Sequence, residues 1–319
     1  MRFSALLFGL VTILISPLAN AQDFPNRAIR LIEPVEPGAA IDKLLFLIGN
    51  GMQAEWGQPG VVDFRAGAGG IIGTDFVAKS KPDGYTLLIA NSGPVGILPN
   101  LMAKLPYDAE KDFVPVAPLI SNPLVLVVNS SLQIKTVPDL IDYAKKNPGK
   151  LAFLTNGVGQ AAHLTLELLK KMTGIDVKIV PYKGTAPALT ALLGGAVDAG
   201  FFVAPAVMSL NDPRVLLLAT TTAERTPYIE GLPTMKEMGY PVYAESWLGI
   251  LAPANTPDPV VAKLEAGIQK IMETKEAQDA IKSLQVTRMK GTGKDFGVFL
   301  SQERKKWGDV IKSANITLE

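Results

Sequence analysis

Short apolar runs alternate along this chain with stretches in which apolar residues return every three to four positions. Residues 29–32 form a run of buried-strand character, and Ile41, Leu44, Leu45, Ile48 and Met52 then recur at helical spacing. Val61-Val62 opens a second strand, residues 71–79 a second helix, and the turn Pro82-Asp83-Gly84 precedes a strand over 85–90. Strand and helix in strict alternation predict a parallel-type sheet with helices on its faces.

A second alternating unit starts near Val125-Leu126-Val127-Val128. Thr136 with Asp139 forms a capping-box pattern for a helix over 140–146, which Pro148-Gly149 ends. Strands over 151–154, 177–180 and 196–202 bracket helices marked by Leu164, Leu168, Leu169 and Met172, and by Leu189, Leu192 and Leu193. Beyond Trp247 come a strand over 248–251, a helix carrying Val260, Leu264, Ile268 and Ile271, and two further helices. The last of these is capped by Thr292 with Asp295. A final segment lacking new strands is expected to pack back on the first unit. The division is therefore 22–124 with 246–319 as one α/β domain and 125–245 as the other. Two crossings, near 123–125 and 245–247, make a hinge.

Five strand-like runs end in tight turns of small residues that open helical stretches: Pro37-Gly38-Ala39-Ala40, Ala66-Gly67-Ala68-Gly69-Gly70, Asn91-Ser92-Gly93, Asn156-Gly157-Val158-Gly159 and Lys183-Gly184-Thr185. Such turns let backbone N–H groups crowd around a guest, and a helix starting there adds about half a positive charge at its first turn. Because the turns lie in two separate stretches, they imply a cleft that holds one small anion between two halves.

Composition narrows the class of guest. Lys+Arg at 31 and Asp+Glu at 30 nearly cancel, and no basic stripe with interleaved aromatics is present, which argues against nucleic acid. Arg2, the apolar residues 6–15 and Ala19-Asn20-Ala21 form an export-signal pattern, 1–21, with cleavage expected after Ala21. The apolar run is short of the roughly 20 residues a spanning helix needs. There is no cysteine, and a periplasmic location requires none.

Several strings occur in one order: Ile32-Glu33-Pro34-Val35-Glu36-Pro37-Gly38-Ala39-Ala40-Ile41-Asp42, Arg65-Ala66-Gly67-Ala68-Gly69-Gly70, Pro82-Asp83-Gly84-Tyr85-Thr86, Leu105-Pro106-Tyr107-Asp108, Pro181-Tyr182-Lys183-Gly184, Leu193-Gly194-Gly195 and Trp247-Leu248-Gly249. The series closely resembles the substrate-binding proteins of tripartite tricarboxylate transporters, the Bug family of periplasmic receptors, over essentially the whole mature chain. The resemblance implies a periplasmic-binding-protein type II fold, a Venus flytrap of two α/β domains joined by crossing hinge strands. It implies a monomer that hands a carboxylated metabolite to membrane permease subunits, with no cofactor and no metal. It also implies that the carboxylate is held by the first strand-to-helix loop, the loop at Asn91-Ser92 and the second-domain turns, often through ordered water.

Candidate contacts on the first domain are Gly38, Ala39, Ala40, Asp42, Asn91 and Ser92. Asp42 equally suits a plain helix-start charge, favourable by about 0.3–1 kcal/mol. On the second domain they are Thr155, Gly159, Gln160, Ala161, His163, Lys183, Gly184, Thr185 and Phe202. The family commonly has hydroxyl residues before His163 where this chain has Ala161 and Ala162, and many members have aspartate where it has Phe202. With Phe201, these departures point to a carboxylate with an apolar or aromatic body, terephthalate being the favoured example, over citrate-like or amino-acid guests. Packing under the cleft is the competing role for Phe202. Gly67-Ala68-Gly69 resembles the start of a dinucleotide fingerprint, but the third glycine falls at Gly73, one place late. An exported hydrolase is the alternative of a different class. The chain has no G-x-S-x-G elbow and no H-E-x-x-H, and His163 is its only histidine, so a receptor is expected instead.

Overall fold

The computed structural model describes residues 24–39, 41–155, 160–182, 185–208, 210–226, 229 and 231–316. The export-signal pattern, Ala40, Gly159, Lys183 and Gly184 lie outside them.

The first sheet begins with β1 (Ile29–Glu33), α1 (Asp42–Trp56), β2 (Gly60–Phe64), α2 (Ile71–Ala78) and β3 (Thr86–Asn91), with β1 parallel to both β2 and β3. Ile29 and Leu31 of β1 and Leu87 and Ile89 of β3 are fully buried in one cluster with α1, whose Leu44, Leu45, Ile48 and Met52 carry the expected helical stripe. Gly57 ends α1 in the left-handed region with its N–H on the Gln53 carbonyl, the ordinary glycine stop. A turn of π-helix over Ser92–Ile97 and the short α3 (Leu98–Leu101) follow β3.

Next comes β4 (Phe113–Asn129), a single strand of 17 residues that belongs to two sheets. Its second half is followed by α4 (Val137–Lys146), β5 (Ala152–Thr155), α5 (Ala161–Thr173), β6 (Lys178–Pro181), α6 (Thr185–Leu193), β7 (Ala199–Val203), α7 (Ala204–Val207) and β8 (Val215–Thr220). β5 runs parallel to β6 and β7. The chain returns through β9 (Glu245–Pro253) and ends with α8 (Asp258–Met272), α9 (Lys275–Ser283), β10 (Thr287–Arg288) and α10 (Gly293–Ala314).

The strands read β2-β1-β3-β9-β4-β7-β5-β6, with β8 and β10 also on β4. β4 pairs antiparallel with β9 as far as Pro123↔Glu245, and from Leu124↔Val203 onward it pairs antiparallel with β7. The expected parallel-type pairing holds within each half but not at the centre. Two parallel halves flank an antiparallel centre, because β4 and β9 carry the chain between lobes in opposite directions. The closing segment also contains a strand, β10, that the apolar pattern does not announce, and β8 likewise goes unread. The helix expected from residue 140 starts at Val137, where Pro138 in the first turn suits a helix start and the Thr136 hydroxyl accepts from the Asp139 N–H.

α8 and α9 pack on α1, while α10 spans the junction, touching the Ser92–Ile97 turn, β4 and α5. Thr292 and Asp295 cap α10 reciprocally, as their spacing predicts. At the junction one buried carboxylate, Glu303, accepts from the indole Nε1 of Trp307 at 3.0 Å and of Trp247 at 3.3 Å, and also pairs with the Lys306 ammonium. Beside it the Ser121 hydroxyl of β4 donates to Glu245 Oε2 of β9 at 2.5 Å. Burial raises the Glu245 carboxyl above its ordinary range against the opposing Ser121 bond.

α1 approaches β2 through glycine. A Cβ on Gly49 would lie 2.3 Å from the Gly60 carbonyl oxygen, a backbone atom that no rotamer change can move. Alanine is the better helix former by about 1 kcal/mol. Gly49→Ala is nevertheless expected to lose about 1–3 kcal/mol net, as overpacked sites do, in urea unfolding followed by circular dichroism. An unchanged or higher midpoint would show that α1 shifts freely.

Candidate functional site

The carboxyl ends of β1, β2 and β3 open into three turns that touch one another. Residues 35–39 after β1 are exposed, and a Cβ on Gly38, at φ 110°, would meet nothing within 4 Å. The turn after β2 keeps Gly67, Ala68, Gly69 and Gly70 all at positive φ. Only a glycine-rich string accepts such a path. A Cβ on Gly70 would fall 3.5 Å from the Pro34 carbonyl oxygen and 3.1 Å from the Pro94 ring, so this turn is wedged between the other two. After β3, Asn91 Oδ1 accepts from the Gly93 N–H at 3.1 Å, Ser92 is buried, and the Tyr107 hydroxyl donates to the Pro94 carbonyl at 2.8 Å.

α5 of the second lobe reaches this edge directly. Its residues contact the Ser92–Ile97 turn, and Ile97 is buried in one cluster with Ala162, Leu166 and the α10 residue Trp307. α5 therefore meets the turn that follows β3; at its start Ala161 is half-buried and Gln160 exposed. Gln160, the N-cap of α5, makes no side-chain capping bond. Thr155 ends β5 fully buried, its carbonyl accepting from the Tyr182 N–H and its Oγ1 without a hydrogen-bond partner. Thr185 is the half-buried first residue of α6.

Three expected contacts are engaged elsewhere. The Gly38 N–H donates to Asp42 Oδ2 at 2.7 Å, so a side chain of the protein holds the amide assigned to a guest. His163 is buried with Nε2 4.0 Å from Glu167 Oε1, and burial depresses its pKa, which leaves a neutral ring near pH 7. Phe202 is 2% exposed and packs with Val125, Leu154, Ala188 and Leu192 in the second-lobe core, while Phe201 on the other face meets Phe153 at a tilt, 5.6 Å between centroids.

One residue escaped the sequence pattern. Glu33 is 2% exposed, its Oε2 has no hydrogen-bond partner, and burial, with the Asp42 charge beside it, pushes its carboxyl up to about 8. The signal was present: Ile29, Leu31 and Glu33 share one face of β1, and the first two are fully buried.

Comparison with known proteins identifies the family and the fold. A model described as "Tripartite tricarboxylate transporter family receptor" matches residues 46–316. BugT of Bordetella pertussis is 36% identical over 303 residues, which span 94% of this chain and 93% of that protein. A solved R. palustris protein with adipate shares the fold at a TM-score of 0.82 and 33% identity, covering 92% of this chain and 99% of that one. MatC from Rhodopseudomonas palustris with bound malate does so at 0.77 and 29%, covering 90% and 100%.

Proposed function

The chain belongs to the tripartite tricarboxylate transporter receptor family, whose members are solute-binding receptors rather than enzymes, and from that premise we propose that it captures a dicarboxylate with an apolar or aromatic body. Cleaved after Ala21 and released into the periplasm as a monomer, it delivers this ligand to the permease subunits of its transporter. Residues 22–124 with 246–319 form one jaw and 125–245 the other, moving about the β4 and β9 crossings.

The observation that carries this reading is the contact of α5 with the Ser92–Ile97 turn, itself packed against the first-lobe turn at Gly70. One carboxylate fits among the first-lobe turns and Ser92, and the other at the amides of Ala161 and Ala162. The half-buried Ala161 offers the guest a methyl group in place of a hydroxyl, in keeping with the adipate held by the 33% identical relative. Phe202, enclosed in the core, gives the reading no support.

Calorimetry against terephthalate, phthalate, adipate, citrate, glutamate and nicotinate tests it. Adipate or terephthalate is expected to bind most tightly, at micromolar affinity or about 8 kcal/mol, which a few charge-assisted bonds of roughly 1.5–3 kcal/mol each can supply. At 100 times its dissociation constant the ligand should add about 2.7 kcal/mol of stability in a thermal shift, with no product formed. A win by citrate or glutamate overturns the ligand class, and turnover of any member overturns the receptor.

A further inference from the structure

The stretch 32–42, which supplies the first-lobe edge of the proposed cleft, carries Glu33, Glu36 and Asp42 and no cationic side chain. An anion brought there meets repulsion unless charge is removed. Glu36 is exposed and its field is spent in water. Glu33 and Asp42 are 2% and 7% exposed, so theirs is not. Each has one buried oxygen, Glu33 Oε2 and Asp42 Oδ1, without a hydrogen-bond partner. Asp42 spends its other oxygen on the Gly38 amide. Two buried carboxylates with bare oxygens are costly when both are ionised, whereas a proton on Glu33 supplies a donor and removes a charge.

We propose that Glu33 keeps a proton beside the Asp42 carboxylate at the foot of the ligand loop, and that the receptor binds its carboxylate together with that proton. The inference rests on the receptor reading and deepens it, making Glu33 a determinant of how much negative charge the cleft accepts. No other titratable group faces the pair among the described residues. On β2, Asp63 shares the face of Ile32 and is held by Arg30 and Arg65, and β3 carries no charged residue. On α2, Asp75 pairs with Lys79, and Lys43 of α1 is exposed. A neighbouring ligand carboxylate strengthens Glu33's hold on its proton, which burial already extends to about pH 8.

Carbon-13 carboxyl titration of the unliganded protein tests the pair without any ligand. One carboxyl is expected to titrate near pH 8 in the wild type, to vanish in Glu33→Gln and to move down in Asp42→Asn. A highest midpoint below 6 overturns the pair. Calorimetry with adipate then tests the coupling. Between pH 8 and 9 wild-type affinity should fall several-fold, to at most tenfold, and the binding heat should differ between Tris and phosphate. Adipate's own carboxyls have ionised well below this range. Glu33→Gln should bind adipate with neither dependence. Affinity that is flat in the wild type, or equally sloped in the variant, overturns the coupling. If no carboxylate of the panel binds while the carbon-13 midpoint stands near 8, the receptor's ligand class fails and the pair survives.

Discussion

Glu33→Gln is expected to make the protein more stable than wild type at pH 9, by on the order of 4 kcal/mol, while leaving the two nearly equal at pH 5. In the folded chain this carboxyl is raised from 4.5 to about 8, by burial first and by Asp42 second. Its native pKa therefore lies above its unfolded one. Between pH 4.5 and 8 the native state keeps a proton that the unfolded chain gives up, so the stabilisation is complete below 4.5 and is lost as pH rises through 8. Glutamine keeps the shape and the uncharged state at every pH. His163 acts in the opposite sense, because its pKa is lowered by burial and its protonation favours the unfolded chain as pH falls below 6.5. Taking the difference between variant and wild type cancels that contribution. Urea unfolding at pH 5, 7 and 9 checks the result, and a variant no more stable at pH 9 would place Glu33 in water.

The second large effect is expected at the junction of the lobes, where Glu303→Ala should cost about 3–5 kcal/mol, the range for breaking a buried charged network. Glu303 is 7% exposed and serves both fully buried indoles, Trp247 and Trp307, as well as Lys306. Alanine leaves the N–H donors of two fully buried indoles without their acceptor. Lys306 also packs over the Trp307 ring at 4.4 Å and can turn its ammonium outward, so the indoles bear most of the loss. Glu303→Gln retains an acceptor and should lose much less. Circular dichroism measures the stability. Intrinsic emission adds a local readout, because these two residues are two of the chain's three tryptophans. A loss below about 1 kcal/mol would mean that the indoles find other partners.

The helices and parallel strands were legible because their signals are local. The stripe of α1 and the reciprocal cap of α10 are written within a few residues of each other. The antiparallel centre was not, since the pairing of Pro123 with Glu245 joins residues 122 positions apart and an apolar run says nothing of its partner's direction. β10, two residues long and polar, has no periodicity to detect. At the candidate site the glycine turns marked the loops, but spacing could not tell whether an amide there is free. Gly38 and Gly93 both donate to side chains of the protein. Nor could spacing tell that Phe202 points its bulk into a core built by Val125 and Leu192, which lie 77 and 10 positions away. Glu33 was readable from period-two alternation alone, as a charge where the strand's buried face required an apolar residue.

β4 gives the molecule a spine rather than a loose joint. A continuous strand of 17 residues, roughly 56 Å long, serves as an interior member of both sheets. Relative motion of the lobes must then be accommodated as torsion of a hydrogen-bonded ribbon, which resists large excursions and springs back. Each sheet also lacks its middle until that ribbon is laid down, so neither half can stand complete while the other is unravelled. The consequence is a single cooperative melting unit, and a partly folded receptor with one finished jaw is not a species the architecture supports.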